Sequence, residues 1–467
     1  MKISFHGAAR TVTGSKHLIR LSNGKKILLD CGMFQGMGPK TNDLNADFGF
    51  DPSSVNYMIL SHAHIDHCGL LPKLIKEGYS GKVYATPATK DLATILLEDS
   101  AAIQEMDIKY ENKKRGLLGL PYLKPLYTIA DALAVAPHFQ SVEYNHWFTI
   151  DEDISFCFTD VGHIIGSAAV HLKIQENGKT TTITFSGDVG RYRDVILKSP
   201  DVFPQADVIL LESTYGNSVH DKHQPSIDAL LKWIEHTCLN KKGKLIIPAF
   251  SVGRTQEILY YLNQLEIENR LPALEYFVDS PLSLKATSVI KSYPQYFNNR
   301  IQKILEKDDD PFNFKGLKFV KSVDESKMLN YYKNPCVIIS ASGMAEAGRV
   351  KHHISNNIEN SRNTILLTGY CEPHSLGGRL MHHPKEVNIF GQHHEVNAEI
   401  AEMRSMSAHG DYDDLSQFLS CQHAKQVKKL FLVHGEYEVQ CDFQKKLIKK
   451  GFLDVEIPSL HQQIGLG

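Results

Sequence analysis

Three histidines and one aspartate lie within a single stretch of six residues, 62–67, which reads HAHIDH. Imidazole nitrogens and carboxylate oxygens are good ligands for borderline divalent metals such as zinc. A turn at this point can aim His62 and His64 at one metal ion, and Asp66 and His67 at a second. Four ligand-type residues in six positions rarely arise from packing alone, so the stretch predicts a dinuclear metal site.

The sequence on either side indicates how this stretch is positioned. Residues 55–61 read as a buried strand, and residues 69–77 read as a helix with an apolar side. Sheets of the α/β class carry their sites at the C-terminal ends of strands. We therefore expect the ligands in a strand-to-helix turn at such an end.

Three further polar residues follow apolar strands in the first 200 residues. His163 lies in DVGHIIGS, residues 160–167, and Asp188 lies in TFSGDVG, residues 184–190. In both segments a glycine allows the backbone to turn tightly beside a potential ligand. Asp30 ends the apolar run 27–29 and could orient a ligand histidine. Each of these residues alone would more often be an ordinary loop or turn residue, but beside the cluster each becomes a candidate.

Composition places the chain among ordinary globular proteins. Its 467 residues suffice for two or three domains, with 42% hydrophobic and 22% charged residues. No apolar run approaches the roughly 20 residues of a membrane helix, and the N-terminus lacks the pattern of a secretion signal. The eight cysteines are scattered without a CxxC pair. We therefore expect a cytoplasmic protein with free thiols and no membrane association.

The formal net charge is −2. Proteins that bind nucleic acid over a wide face usually carry a basic excess. A polyanionic substrate would therefore have to be held by local positive charge, from metal ions and a few arginines and lysines.

Strand and helix signals alternate over residues 1 to about 210, and a second α/β unit with a predicted parallel sheet begins near residue 213. From about residue 396 the sequence again carries site-like segments, SAHGD at 407–411 and VHGE at 433–436. The middle region therefore interrupts the first domain, and the final segment completes it.

With these residues in order, the chain resembles the metallo-β-lactamase superfamily. Asp30, the HxHxDH stretch, His163 and Asp188 match the four ligand motifs of that family. The resemblance implies a metallo-β-lactamase αββα sandwich.

The resemblance extends to the β-CASP branch of nucleic-acid-processing enzymes, which carries three additional motifs. They match Glu212 in LLESTYG, His409 in SAH and His434 in LVHGE. Within the branch, the chain is most similar to bacterial and archaeal relatives of the endonuclease subunit of the pre-mRNA 3′-end cleavage factor. That similarity includes GAARTVTGS at 7–15, PAFSVGRTQE at 248–257 and SASGM at 340–344.

The resemblance implies three segments with an α/β fold. Residues 1–212 would form the first part of the metallo-β-lactamase domain. Residues 213–395 would form an inserted β-CASP α/β domain with a parallel sheet. Residues 396–467 would complete the first domain.

Two zinc ions are implied by the same resemblance. The ligands would be His62, His64 and His163 for the first ion, Asp66, His67 and His434 for the second, and Asp188 as the bridge between them.

The implied reaction is attack of a two-metal-activated hydroxide on phosphorus. His409 is the candidate general acid for the leaving 3′-oxygen, with Glu212 orienting it and raising its pKa. Asp66 and Asp30 complete the predicted catalytic set. The alternative for His409 is a supporting or substrate-binding role.

Substrate contacts are predicted in the inserted region. Arg254 follows a glycine at a helix start and could pair with a phosphate. The loop with Ser342 and Gly343 is predicted to open a helix and to offer backbone N–H groups, with Arg349 further along that helix. A solvated surface role is the alternative for each of these residues.

The predicted function is that of a zinc-dependent ribonuclease acting on single-stranded RNA, as an endonuclease with 5′→3′ exonuclease activity as an additional option. RNA is favoured because RNA-directed members of the branch carry a histidine at the position of His434. The alternatives are a DNA-directed nuclease of the same branch, a small-ester or thioester hydrolase of the wider superfamily, and a non-catalytic RNA-binding scaffold. Relatives include homodimers, but no segment here is diagnostic of an interface.

Overall fold

The computed structural model describes residues 1–220, 226–306, 310–369, 371–403 and 406–466, without the side chain of Pro39. The chain forms two compact units. The first unit comprises Met1–Val219 and His409–Gly467, and the second unit comprises His220–Ala408. The domain boundaries predicted from the sequence, at 212/213 and 395/396, differ from this division and stay a prediction.

The strands are short and follow the apolar runs of the sequence. In chain order they are β1 Lys2–Gly7, β2 Lys16–Arg20, β3 Lys26–Leu29, β4 Tyr57–Ile59, β5 Val83–Ala85, β6 Phe139–Ser141, β7 Phe148–Asp151, β8 Ile154–Asp160, β9 Ala168–Glu176, β10 Lys179–Phe185, β11 Val208–Glu212, β12 Lys244–Pro248, β13 Glu275–Val278, β14 Leu317–Phe319, β15 Cys336–Ser340, β16 Thr364–Leu367, β17 Glu386–Ile389, β18 Gln392–Glu395, β19 Glu399–Glu402, β20 Lys429–Val433, β21 Val455–Glu456 and β22 Gln463–Gly465.

The helices lie between these strands. They are α1 Thr41–Ala46, α2 Ile65–Cys68, α3 Leu71–Lys76, α4 Pro87–Leu117, α5 Ile129–Leu133, α6 Ser226–Ile234, α7 Arg254–Ile267, α8 Pro281–Lys291, α9 Asn299–Leu305, α10 Val323–Tyr331, α11 Arg349–Asn357, α12 Leu376–Met381, α13 Tyr412–Phe418 and α14 Tyr437–Lys449.

Within the described ranges, the first unit contains two sheets of seven strands. One has the order β22-β1-β2-β3-β4-β5-β6 and the other the order β21-β20-β11-β10-β9-β8-β7. Strands β3 to β6 run parallel to one another, as do β10, β11, β20 and β21. Parallel strands end at the same edge of a sheet, so the loops that follow them are brought together.

The two sheets pack face to face around one core. Phe5 of β1 lies against Phe431 of β20, with ring centroids 5.1 Å apart. On the other face of the second sheet, Ile209 and Leu211 of β11 pack in one cluster with Phe443 of α14. Because both of its faces are covered, all five residues of β11 are buried. With α4 against β6 of the first sheet, the layering is the predicted αββα sandwich.

The second unit is built on a parallel sheet, which confirms the predicted inserted α/β domain. Its described strands have the order β14-β13-β15-β12-β16-β19, and every pair is parallel. Strands β17 and β18 form a separate antiparallel pair. The apolar runs 245–247 and 337–339 are fully buried, as expected for parallel strands covered on both faces.

The predicted helix over 69–77 is partly wrong, because two shorter helices stand in its place. Helix α2 already begins at Ile65, and α3 begins at Leu71 with Pro72 in its first turn. Proline has no N–H for the preceding turn, so it starts a new helix more readily than it continues one. As a result, Asp66 and His67 lie on α2 and not in a loop.

The eight cysteines are all free, as predicted. Among the described helices, none combines the length and the apolar character needed to cross a membrane.

Candidate metal centre

Most of the predicted ligands come shortly after the C-terminal ends of strands, and three of these strands run the same way within the second sheet. His62 and His64 come after β4, Asp188 after β10, and His434 after β20. Strand β8 runs in the same direction as β10, because both are antiparallel to β9 that lies between them. His163, which follows β8, is therefore delivered to the same edge.

Four of these residues form one compact group. The Nε2 atoms of His62 and His163 each lie 3.1 Å from Nδ1 of His64. The same two Nε2 atoms each lie 3.5 Å from Oδ2 of Asp188. Three imidazoles and one carboxylate therefore converge on a space of the size of a single ion.

A second group lies on the other side of Asp188. Asp66, His67 and His434 each offer one ligand atom within 4.8 Å of the others. Nε2 of His434 is 3.4 Å from Oδ2 of Asp66, and Nε2 of His67 is 3.3 Å from Oδ1 of Asp188. The two oxygens of Asp188 thus face the two groups separately, which is the arrangement expected of a bridging carboxylate.

The chemistry of the donor atoms fits divalent cations. Nε2 of His67 and Oδ1 of Asp188 are buried and make no hydrogen bond among the residues that the structure describes. Such orphaned buried polar atoms are costly unless something pairs with them. A cation bound between the histidine nitrogens and carboxylate oxygens would satisfy both atoms.

The pKa shifts of the clustered histidines and of Asp188 also favour binding of a cation. Burial lowers the pKa of His62 and His163 well below the usual range, and that of His64 to about 4, which favours the neutral imidazole that a metal requires. Burial opposes ionisation of Asp188, but the surrounding histidines outweigh it and hold its pKa well below the usual value. Three neutral imidazoles beside an ionised carboxylate make the first group a site for a cation. In the second group burial opposes protonation of His67, but Asp188 and Asp30 outweigh it and raise its pKa well above the usual value, so a cation there would displace a proton.

Asp30 holds His67 from behind. Its Oδ2 accepts a 2.6 Å hydrogen bond from Nδ1 of His67, and its Oδ1 accepts the backbone N–H of Ser61 at 2.8 Å. The hydroxyl of Ser61 also donates to Oδ2, at 2.9 Å. This arrangement directs Nε2 of His67 into the cluster. Such supporting carboxylates fix the ring orientation and raise the basicity of a ligand.

Replacing Asp30 by asparagine should weaken metal binding by about 10- to 100-fold while the fold is retained, because the charged partner of His67 is lost. Competition with a fluorescent chelator measures the affinity. Asp43→Asn, at an exposed carboxylate on α1, is the matched control. Equal affinity in both variants would mean that Asp30 does not support the ligand.

Glu212 and His409 form a pair beside the metal cluster. Oε1 of Glu212 lies 3.2 Å from Nδ1 of His409 and also accepts the N–H of Val189 at 2.6 Å. Nδ1 of His409 is 3.9 Å from Oδ2 of Asp188. Burial lowers the pKa of His409, but the charges of Glu212 and Asp188 outweigh it and raise that pKa to about 9. A protonated His409 beside the cluster can donate a proton.

His409 also satisfies the distance criterion of a ligand. With Asp188 and His434 it forms a third group whose donor atoms lie within 4.8 Å of one another. Geometry therefore permits either a proton donor or a ligand at this position, and the two roles differ in whether the metal survives its removal.

Thr214 is a supporting residue that the motif reasoning missed. Its hydroxyl donates to Oε2 of Glu212 at 2.7 Å and lies 3.1 Å from Nδ1 of His434. It therefore links the Glu212–His409 pair to the cluster of candidate ligands. Its position two residues after Glu212, in the EST segment, is the feature of the sequence that could have indicated this role.

The predicted substrate-binding residues lie in the second unit. Arg254 is buried at the start of α7 and pairs with Glu257. Arg349 donates to Oδ1 of Asp279 at 2.6 Å and to the carbonyl of Lys321 at 3.1 Å. Both guanidinium groups thus have acidic partners within the unit, and their binding of substrate stays a prediction.

The prediction that the Ser342 loop opens a helix is wrong. Helix α11 begins at Arg349, and the intervening segment turns back so that the N–H of Ser342 donates to the carbonyl of Ala347 at 3.2 Å. A Cβ on Gly343 would come within 2.5 Å of the Phe250 ring, so the glycine is required by packing. A phosphate contact through Ser342 and Gly343 stays a prediction that does not involve a helix start.

Three family models match the chain. The metallo-beta-lactamase superfamily matches residues 13–236, the Beta-Casp domain matches residues 255–380, and the Zn-dependent metallo-hydrolase RNA specificity domain matches residues 393–458. The three matches follow one another along the chain, and the third contains His409 and His434.

Similar proteins support the same assignment. Ribonuclease TTHA0252 of Thermus thermophilus is 36% identical over 451 residues, which cover 97% of each chain. An RNase J-like protein of Methanocaldococcus jannaschii is 30% identical over 440 residues, 93% of this chain and 92% of that protein. Cleavage and polyadenylation specificity factor 73 of Drosophila melanogaster is 28% identical over 422 residues, 88% of this chain and 57% of that protein. The chain therefore belongs to the metallo-β-lactamase superfamily, in its β-CASP branch.

Proposed function

We propose that this protein is a zinc-dependent ribonuclease that hydrolyses phosphodiester bonds of single-stranded RNA. The observation that carries the proposal is the Glu212–His409 pair, held beside a cluster of seven candidate metal ligands that a single carboxylate, Asp188, divides into two groups. A dinuclear site activates water, and a nearby acid protonates a poor leaving group. Hydrolysis of an unactivated phosphodiester needs both functions.

Zinc is the proposed metal because five of the seven candidate ligands are histidines. Imidazole favours zinc and other late first-row metals, whereas magnesium and calcium prefer oxygen ligands throughout. The match to a Zn-dependent metallo-hydrolase model agrees with this choice.

Two divalent cations held by these seven residues would supply the activation of a water molecule and would offset the charge that develops on the phosphate oxygens. The chain itself supplies the geometry. Asp30 fixes the ring of His67, and Thr214 fixes Glu212. The reacting groups are therefore preorganised by hydrogen bonds within the first unit.

His409 is the proposed acid. Its Nδ1 faces Glu212 at 3.2 Å, so the proton available to the substrate is the one on Nε2. The side chain is 18% exposed, whereas that of Glu212 is fully buried. Protonation of the leaving 3′-oxygen would yield one product with a 3′-hydroxyl and one with a 5′-phosphate.

RNA is the proposed substrate for three reasons. His434 stands where RNA-directed members of the branch carry a histidine, and residues 393–458 match the RNA specificity domain. The similar proteins named a ribonuclease and an RNase J-like protein are aligned over nearly their whole length. Endonucleolytic cleavage, with 5′→3′ exonuclease activity as an additional option, is part of the proposal.

The eight free cysteines fit a reducing compartment and support the predicted cytoplasmic location. A homodimer stays a prediction.

The choice of substrate is tested with single-stranded RNA and DNA of one sequence, each labelled at its 5′ end. We expect RNA to be cleaved at least tenfold faster than DNA. A p-nitrophenyl ester of acetic acid serves as the small-ester arm, and negligible hydrolysis is expected there. Faster cleavage of DNA would favour the DNA-directed nuclease, and turnover of the ester without either nucleic acid would favour the small-ester hydrolase.

A further inference from the structure

Arg10 lies near the apex of a tight loop beside the metal cluster. The N–H of Ala8 donates to the carbonyl of Thr13 at 3.0 Å and closes the loop. The carbonyl of Ala8 in turn accepts the N–H of His434 at 2.8 Å. The loop is therefore bonded directly to the segment that carries one of the candidate ligands.

The backbone of this region is strained. Ala8, Arg10 and His434 have φ values of 46°, 60° and 51°, in the left-handed region that residues with a side chain rarely adopt. Such conformations persist where the surrounding structure enforces them, and they cluster at functional sites. Here the strain fixes the direction in which Arg10 leaves the loop.

The side chain of Arg10 is exposed and ordered by two contacts. Its guanidinium carbon lies 4.5 Å from the centre of the Tyr437 ring. Its Nη2 donates to the carbonyl of Ile457 at 3.3 Å. Within the part of the chain that the structure describes, the guanidinium pairs with no carboxylate. Unlike the charges of Arg254 and Arg349, its charge is not offset by a paired carboxylate, and most of its five N–H donors are available to a ligand.

Tyr437 is 46% exposed although one face of its ring carries the guanidinium. It is the third residue after His434, at the start of α14. An exposed aromatic face accepts a nucleic acid base by stacking, and a stacked guanidinium binds phosphate through parallel N–H groups. The pair thus offers both contacts that one nucleotide needs.

The local charge favours a single phosphate over a broad polyanion face. Glu436 and Glu438 flank Tyr437 in the sequence, so the segment that carries the aromatic ring adds no positive charge and Arg10 supplies the cation of the pair. This agrees with the net charge of −2, which requires local positive charge for binding RNA.

We infer that Arg10 and Tyr437 form a nucleotide subsite beside the metal centre. Arg10 binds a phosphate next to the one that is cleaved, and the exposed face of Tyr437 stacks the adjoining base. The inference rests on the proposed ribonuclease function and deepens it, because it assigns residues that hold the RNA strand outside the scissile bond.

The test compares two substrates for each variant. Single-stranded RNA reaches the subsite, whereas bis(p-nitrophenyl) phosphate has one phosphate and no neighbouring nucleotide. We expect Arg10→Ala to lower the ratio of kcat/KM for RNA to kcat/KM for the small diester about tenfold, through loss of a charged phosphate contact. Tyr437→Ala should lower the same ratio about fivefold. Arg20→Ala, at the exposed end of β2, is the control and should leave the ratio within twofold.

Salt dependence gives a second readout. Arg10→Ala should reduce the slope of log kcat/KM for RNA against log salt concentration by about 0.7, the value for one contact to a single strand. Arg10→Lys should retain the slope but not the rate, because lysine keeps the charge and loses the planar fork.

The outcomes separate the subsite from the proposed function. An unchanged ratio in Arg10→Ala and Tyr437→Ala, with RNA cleavage by the unaltered protein, would overturn the subsite alone. Equal losses on both substrates, or loss of zinc, would also overturn it and assign Arg10 to support of the His434 loop. If the unaltered protein hydrolyses the small diester but neither cleaves nor binds RNA, the proposed function fails and the subsite fails with it.

Discussion

Replacing Asp188 by asparagine should remove bound metal and lower RNA cleavage by about 1,000-fold, a change in activation free energy of about 4 kcal/mol. Oδ2 of Asp188 lies 3.5 Å from Nε2 of both His62 and His163, and Oδ1 lies 3.3 Å from Nε2 of His67. Its side chain is 2% exposed. An amide offers one oxygen and no negative charge, so the first group loses its only carboxylate and the second group keeps only that of Asp66.

Metal content by mass spectrometry and the cleavage rate are measured on the same preparation. Asp207→Asn is the matched control. Asp207 directly precedes β11, at the end of that strand opposite to Glu212, and accepts a hydrogen bond from Thr182. We expect the control to keep its metal. Full metal content and a normal rate in Asp188→Asn would contradict the bridging role.

Replacing His409 by alanine should lower RNA cleavage by about 100- to 10,000-fold while both metal ions remain bound. The expected loss follows from the position of His409. Its Nδ1 lies 3.2 Å from Oε1 of Glu212, which orients the ring, and the neighbouring carboxylates raise its pKa to about 9. Without this side chain the leaving 3′-oxygen departs unprotonated. The metal ligands on either side of Asp188 are otherwise untouched.

A substrate with a good leaving group distinguishes acid catalysis from other roles of His409. The nitrophenolate of bis(p-nitrophenyl) phosphate leaves without a proton, so its hydrolysis should fall far less than RNA cleavage. His146→Ala, at an exposed histidine of the same unit, is the control for loss of an imidazole. Loss of one metal ion in His409→Ala would show that the residue is a ligand in the group it forms with Asp188 and His434. Equal losses on both substrates would exclude the acid.

The architecture follows from local patterns in the sequence. Apolar runs predicted the strands, and turn glycines marked the loops after β8 and β10. The helix over 69–77 was predicted as one piece because its apolar spacing is regular. In the structure this stretch is not one helix, because Pro72 lies in the first turn of a new helix, α3, and α2 ends before it.

Side-chain partners were harder to predict than elements. Thr214 contacts His434 across 220 residues of chain, and only the pairing of β11 with β20 brings them together. The same limit applies to Arg254 and Arg349, because a sequence does not show that Glu257 and Asp279 lie within reach of their guanidinium groups. The opposite holds for Arg10, whose exposure and lack of a carboxylate partner are visible only in the folded chain.

Short-range ligand spacing was informative because a turn limits where side chains can go. The spacing of His62 and His64 within one turn predicts that both reach one ion, whereas their proximity to Asp188 was implied by the family resemblance. The same spacing indicates that Asp66 and His67 face a second ion, and the family resemblance implies Asp188 as the bridge. Which oxygen of Asp188 faces which group is visible only in the folded chain.

Cleavage of 5′-labelled single-stranded RNA by metal-free and zinc-restored protein decides whether this chain is a zinc-dependent ribonuclease. We expect no cleavage after chelation, recovery on addition of two equivalents of zinc, and products with 5′-phosphate and 3′-hydroxyl ends. Asp188→Asn should not recover. Cleavage that persists in the metal-free protein, or no cleavage with zinc or any other divalent ion, would show that the protein is not a metal-dependent ribonuclease.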